Sequence, residues 1–488
     1  MKKWLVKNGS IILLCCIIFY VWILLFYNLW LQSLWIDEAY SSYVAKYMSF
    51  NWLYKSSYFL FEWLQVLCFK LWWITDFWAR FPSAIIQLWS VFLMYYIPKK
   101  LCNNWYIGLF SALMFWLLYW EIWRWRDARF YSLLQLMLLL GIFLMIKWVD
   151  TKKTLYLNLG IVFSWLGVVF HPFLYCLLAI LLWVFLCQYK KLWDFKSIFS
   201  KKYYSTWILL LILWVAAIIY WTLWGVLKWS LDNWLSRDAK KYYFSFYTKH
   251  LWGEIGMILV FWFLWMLRFI IKKKRMEVSL IFLPFVLFVY ALVIKWYLMH
   301  SRYALLIYPL MILSSTMFIF DILKYVKSNK LRIFTMVFVL LLVWFTAHFQ
   351  FIPLSYYYFD YTSPQPDFKS AYAAIPNWSK VISWFPTLCD WYYSDRWECT
   401  HAIRVDLVHD WKSQVVSLTG EKYTELPYVD DLDQLASGVY YFVLDNLTRN
   451  SDNINYLLFK QIINSWKKLY ESWNSYNSIF VVQVVVNW

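Results

Sequence analysis

Glycine is the first thing this sequence is short of: the chain has 10 in 488 residues, where average usage would give roughly 34. That scarcity argues against the glycine-rich loops that cradle nucleotide phosphates, and no such pattern occurs. Charge is thin as well. Asp, Glu, Lys and Arg make up 15% of the chain and hydrophobic residues 63%, against roughly 25% and 45–50% in soluble domains. A soluble fold could not hide that much apolar surface. Acidic residues are the scarcer sign, 28 against 46 basic, for a formal net charge of +18. In a soluble protein that balance would point to nucleic acid; here the lysines sit mostly in short segments between apolar runs, where retention on the cytoplasmic side of a membrane explains them. No nucleic-acid partner is expected. The eight cysteines include no Cys-x-x-Cys and no Cys/His spacing suited to a metal. No metal site or cofactor is therefore assigned, and a divalent cation stays open without a ligand set. Internal repeats and low-complexity tracts are absent too.

What is present is a series of apolar runs long enough to cross a bilayer. Expected spans cover 10–31, 82–98, 104–120, 130–148, 155–170, 173–188, 207–227, 251–271, 278–296, 303–323 and 333–352, about eleven in all. Basic clusters at Lys2–Lys7, Lys99–Lys100, Lys152–Lys153, Lys190–Lys202, Lys272–Arg275 and Lys324–Arg332 are assigned to the cytoplasm. The first run, with lysines before it and no small-residue cleavage site, reads as a retained signal anchor. The apolar stretch Tyr58–Trp73 breaks this parity if it crosses, so it and Ala39–Leu53 are read as helices at the outer interface. The fold class is thus a polytopic α-helical membrane protein, multi-pass in the cytoplasmic membrane. Residues 1–352 form a transmembrane module, and residues 353–488, richer in Asp, Asn, Ser and Pro, form a small extracytoplasmic α/β domain. Strands are expected at Val381–Trp384, Val439–Leu444 and Ile479–Val486, and an amphipathic helix at Asn453–Ser472. Six cysteines lie in or beside apolar runs and read as packing; Cys389 and Cys399 could pair if their region is exported.

Tryptophan is the opposite extreme, with 38 residues. It stands where turn chemistry favours glycine in Asp232-Asn233-Trp234 and Pro376-Asn377-Trp378-Ser379, both places where Asn-Gly would be the ordinary turn. The pattern suggests that some of these codons are UGA, read as glycine in the source organism. No function is assigned to any Trp.

Polar residues without an obvious bland use gather on the expected outer side. Asp37 and Glu38 follow the first span; one of them could take a proton from an acceptor hydroxyl, or the pair could simply open a helix. Arg124, Arg126, Asp127 and Arg129 run against the positive-inside trend. Their guanidinium groups match phosphate oxygens, with interfacial snorkelling as the alternative. His171 begins one span, and His300, Arg302 and Tyr303 another. Each group is weak alone. Together they put carboxylates and guanidiniums from distant parts of the chain on one face, which suits an anionic lipid-linked substrate.

The order of these elements resembles the GT-C glycosyltransferases, in particular protein O-mannosyltransferases, aminoarabinose transferases and related bacterial enzymes with polyprenyl-phosphate sugar donors. Trp35-Ile36-Asp37-Glu38-Ala39-Tyr40 resembles the family's first-loop acidic motif. Phe77-Trp78-Ala79-Arg80-Phe81-Pro82-Ser83-Ala84 is similar to its Arg-Leu-Pro-Ser-Ala element, and Arg126-Asp127-Ala128-Arg129-Phe130-Tyr131 to its Gln-Glu-Ala-Arg-x-Tyr element. His171 and the run Arg302–Pro309 match later landmarks in the same order. The resemblance covers roughly residues 10–350 and implies a GT-C fold and sugar transfer from a polyprenyl-phosphate donor to a lipid, glycan or protein acceptor. It implies Asp37 as base with Glu38 as partner, and Asp127 as a supporting or acceptor-side carboxylate. Arg126, Arg129, His171, Arg302 and Tyr303 would line the donor, and Arg80 reads as structural. Two departures stand out: Ser57-Tyr58-Phe59 replaces a proline motif, and Asp127 stands where Glu is usual. A flippase or ligase of lipid-linked polysaccharide is the alternative, and would need no carboxylate pair in the first loop.

Overall fold

A computed structural model describes residues 2–27, 29–30, 33–34, 36–47, 59–118, 127–170, 204–223, 256–271, 308–348, 367–383, 386–393, 399–403, 406–408, 415–417, 426–429, 431–445, 462, 466–473 and 478–486. Among these residues the first three-quarters of the chain is helical: α1 Lys2–Phe26, α2 Ile36–Tyr47, α3 Phe59–Leu71, α4 Asp76–Cys102, α5 Trp105–Leu117, α6 Tyr131–Thr151, α7 Thr154–Phe170, α8 Tyr204–Leu223, α9 Met257–Ile271, α10 Tyr308–Leu323 and α11 Asn329–His348. Four of them, α1, α4, α6 and α11, are long and apolar enough to cross a membrane, and α5, α7, α8 and α10 are shorter apolar helices. The expected spans at 173–188 and 278–296 lie outside the described residues. On α1 and α11, large apolar side chains such as Phe19, Trp22, Phe334 and Leu341 are exposed, the kind of surface that lipid covers.

The chain forms two compact units, the first made of Met1–Leu25, Ser83–Trp125 and Phe130–Ile352. Within it, Gln87 of α4 donates to Gln135 of α6 at 2.7 Å, the rings of Tyr96 and Phe143 lie 5.2 Å apart, and Lys100 pairs with Asp150 at 3.1 Å. Contacts that advance together along both helices mean that α4 and α6 run parallel. Their basic ends, Lys99–Lys100 and Lys152–Lys153, therefore lie at one end, as the charge pattern requires. Tight turns follow both. Asn103 takes a left-handed φ of 49° and the side chain of Asn104 accepts from Tyr106 N–H to start α5, while Lys152 at φ 56° ends α6. The return of α5 along α4 is close: a Cβ at Gly108 would collide with the carbonyl oxygen of Tyr95.

The second unit is discontinuous, made of Phe26–Pro82, Arg126–Arg129 and Pro353–Trp488. Its last segment contains α12 Phe368–Ala373, β1 Lys380–Ser383, α13 Pro386–Tyr393, β2 Cys399–Ile403, β3 Asp406–Val408, β4 Val415–Ser417, β5 Tyr428–Val429, β6 Gly438–Asp445, β7 Trp466–Trp473 and β8 Ser478–Val486. Six strands form a mixed sheet in the order β5-β2-β1-β6-β8-β7, in which β5, β2, β1 and β6 are parallel and β8 and β7 fold back antiparallel. The strands β1, β6 and β8 coincide with expected ones. The helix expected at Asn453–Ser472 is corrected over its C-terminal part: Trp466–Trp473 is strand β7, paired along its length with valine-rich β8. A pairing partner a few residues away outweighs a helix-like spacing of apolar residues. One core joins this sheet to the first-loop helices, since Leu34, Ala39 and Ala45 pack in the same cluster as Tyr372, Leu388, Tyr393 and Phe442.

Trp378 sits at φ 65° with 73% of its surface exposed. A bulky residue in the left-handed region is an outlier that glycine would relieve, and this is one of the two turns where the sequence pattern asks for glycine.

Candidate active site

Helix α2 starts at Ile36 with two acids in its first turn, where the helix dipole favours negative charge. Its buried side carries Glu38, Ala39, Ser41, Ser42 and Ala45, so Glu38 needs a partner away from water. Arg80, one turn into α4, supplies it. Its Nε donates to Glu38 Oε1 and its Nη2 to Oε2, both at 2.9 Å, and both side chains are within 1% of complete burial. The remaining guanidinium hydrogens cap the carbonyls of Leu29 at 3.1 Å and Ser33 at 2.9 Å. A single arginine thereby joins the chain leading into α2, α2 itself and α4.

Glu38 reaches further. Its Oε1 also accepts from Ala128 N–H at 2.7 Å, in the turn Asp127–Arg129 that precedes α6. That turn closes on itself through Arg129 N–H to Asp127 carbonyl at 2.7 Å, and Arg129 Nη1 donates to Ser41 Oγ at 3.1 Å on the same face of α2. Asp127 and Arg129 are both buried. From α3, Gln65 Nε2 braces the assembly by donating to Ser42 Oγ at 3.3 Å and Ala79 carbonyl at 3.0 Å.

Another buried acid lies at the start of α4, and no local pattern in the sequence marks it. Asp76 Oδ1 accepts from Trp391 Nε1 at 2.8 Å and Tyr392 hydroxyl at 3.3 Å, and Oδ2 from Lys369 Nζ at 3.4 Å. Tyr392 oxygen in turn accepts Leu34 N–H at 2.5 Å. Burial, and next the Asp76 carboxylate, push the Tyr392 phenol well above its ordinary pKa, so it keeps its proton. At the far end of α2, Asp390 accepts from Lys46 at 3.3 Å and Tyr47 at 3.0 Å. Burial opposes the Lys46 charge, but hydrogen bonds to Tyr47 and Asp390 and the Asp390 charge outweigh it and raise its pKa. Cys389 and Cys399 are joined in a disulfide that ties α13 to the first residue of β2.

No protein-family profile matches this sequence, and neither does any curated protein. Solved structures do. The apo state of ArnT from Cupriavidus metallidurans superposes with a TM-score of 0.61 at 10% identity, covering 98% of this chain and 98% of that one. ArnT from the same organism bound to undecaprenyl phosphate gives 0.58 at 10% identity, over 98% and 99%. This chain has the fold of ArnT.

Within this ArnT-like fold, the sequence-derived candidates are distributed unevenly over what is described. Glu38, Asp127 and Arg129 come together on and beside α2. Asp37 lies next to Glu38 in the first turn of α2, and its side chain is outside the described residues. Arg126, His171, Arg302 and Tyr303 are also outside them. Sequence reasoning missed Asp76, Asp390 and Tyr392. Their partners lie about three hundred residues away in sequence, 293 for the Asp76–Lys369 bond.

Proposed function

We propose that the chain transfers a sugar from a polyprenyl-phosphate carrier to an acceptor on the extracytoplasmic face of the cytoplasmic membrane. One observation carries the reading: Glu38 ties the helix bearing Asp37 to the turn bearing Asp127 and Arg129, inside an ArnT-like fold. An acid and a guanidinium group are thereby kept on neighbouring pieces of backbone, as displacement at a sugar bound to phosphate requires. The undecaprenyl phosphate bound to ArnT supports a polyprenyl lipid as the carrier.

Asp37 is the base that takes the acceptor proton while the acceptor oxygen attacks the anomeric carbon, in an inverting, single-displacement reaction. The bond to the carrier phosphate breaks, and its developing negative charge is met by Arg129, with Arg126, His171, Arg302 and Tyr303 as further donor contacts. Glu38, bridged by Arg80 through both oxygens, holds the geometry rather than the proton. Asp127 stands on the acceptor side. The transmembrane module of residues 1–352 carries the chemistry, and residues 353–488 support its first loop.

The test is a purified protein in lipid, offered a panel of polyprenyl-phosphate sugars, with consumption of each donor followed. Transfer by the native chain and its loss in Asp37→Asn are expected; near-normal turnover in that variant overturns the base assignment.

A further inference from the structure

We infer that helix α13 braces the catalytic loop, with Tyr392 and Asp390 as positioning residues; the proposal rests on the transferase reading above. Three consecutive residues of α13 reach the first-loop region. Asp390 binds Lys46 and Tyr47 at the last turn of α2, Trp391 binds Asp76 at the start of α4, and Tyr392 bridges Asp76 and Leu34 N–H. Leu34 lies two residues before α2 and three before Asp37. The helix that carries the base is thus gripped at both ends by one short helix from the far end of the chain.

The brace is itself anchored. Cys389, the residue before Asp390, is fully buried and bonded to Cys399 of β2. Tyr393, the last residue of α13, donates to Pro376 carbonyl at 2.6 Å and accepts Ser379 N–H at 3.0 Å. Both flanks of the contacting triplet are therefore fixed to the sheet layer, which lets the triplet transmit a position rather than follow one. Burial and the Asp76 charge hold the Tyr392 phenol well above its ordinary pKa, so Tyr392 is the donor in its bond to Asp76.

The experiment compares the full chain with Tyr392→Phe, Asp390→Asn and the double variant Cys389→Ala/Cys399→Ala. Amide hydrogen exchange, which needs no substrate, is read at Leu34–Tyr47 and at strand β6. Tyr392→Phe removes the acceptor of Leu34 N–H, so exchange at Leu34–Glu38 should quicken by roughly tenfold with β6 unchanged. Asp390→Asn should quicken only the end near Lys46 and Tyr47, and the cysteine variant should quicken both ends. With a donor that supports transfer, Tyr392→Phe should lower kcat while leaving the donor KM unchanged, a split that general loss of packing does not produce. Native exchange at Leu34–Glu38 in Tyr392→Phe, or equal acceleration across β6, overturns the brace. Wild-type exchange in the cysteine variant overturns the disulfide's anchoring part. Failure of the native chain to consume any polyprenyl-phosphate sugar sinks the transferase reading instead, and leaves the exchange result to decide the brace alone.

Discussion

Glu38 and Arg80 meet through both carboxylate oxygens at 2.9 Å, with essentially no solvent at either side chain. Such a pair contributes little net stability compared with an apolar substitute, but removing one partner strands the other as a buried charge.

Arg80→Ala and Glu38→Ala are therefore each expected to destabilise the protein by about 3–5 kcal/mol. Arg80→Lys should recover only part of this, because an ammonium cannot span both oxygens and the carbonyls of Leu29 and Ser33. Thermal unfolding in one detergent or lipid condition reads the difference, and a lysine variant as stable as the native chain would refute the bidentate role.

Arg129 is expected to act on the lipid phosphate rather than on the fold alone. Arg129→Ala should weaken undecaprenyl phosphate binding by roughly 10- to 100-fold, the value of a charge-assisted hydrogen bond. A binding titration at fixed salt measures it, and unchanged affinity would take Arg129 out of the donor site.

Trp378→Gly should raise stability by about 1 kcal/mol, since a non-glycine residue pays that much to occupy the left-handed region. Chemical unfolding tests it. The wider idea, that some tryptophan codons are read as glycine, is tested separately by the gene and by peptide masses from the source organism; UGG at position 378 would reject it there.

Acid stability should carry a signature of His401. Its buried Nδ1 has no hydrogen-bond partner among the described residues, and burial followed by the Lys380 charge lowers its pKa. The unfolded chain then binds the proton more readily than the fold, so the contribution is whole above the unfolded value of about 6.5 and declines as pH falls through the window below it. His401→Gln should flatten that decline in unfolding free energy against pH; an identical slope would refute it.

Much of the helical framework can be read from the sequence, because apolar runs and lysine placement are strong local signals. The start of α4 at Asp76, six residues earlier than the apolar run implies, is different: its polar first turns are buried only because Asp76 and Arg80 receive partners from elsewhere. Glu38 and Arg80 stand out by motif, but their contact spans 42 residues and depends on how α2 docks. Asp76, Asp390 and Tyr392 look like ordinary surface polar residues in the sequence, since nothing near them announces a long-range partner. The strand at Trp466–Trp473 is invisible for a related reason, as its identity comes from β8.

The interleaving of the second unit also dictates a sequence of events during synthesis. Segment 26–82 can bring Glu38 and Arg80 together early, but Asp76 must wait for Lys369, Trp391 and Tyr392, the last 316 positions downstream. Such distant closure is slow compared with local helix formation. A nascent chain would thus carry its first loop half-assembled until residues 369–392 have been made, long after the segment that holds Asp76.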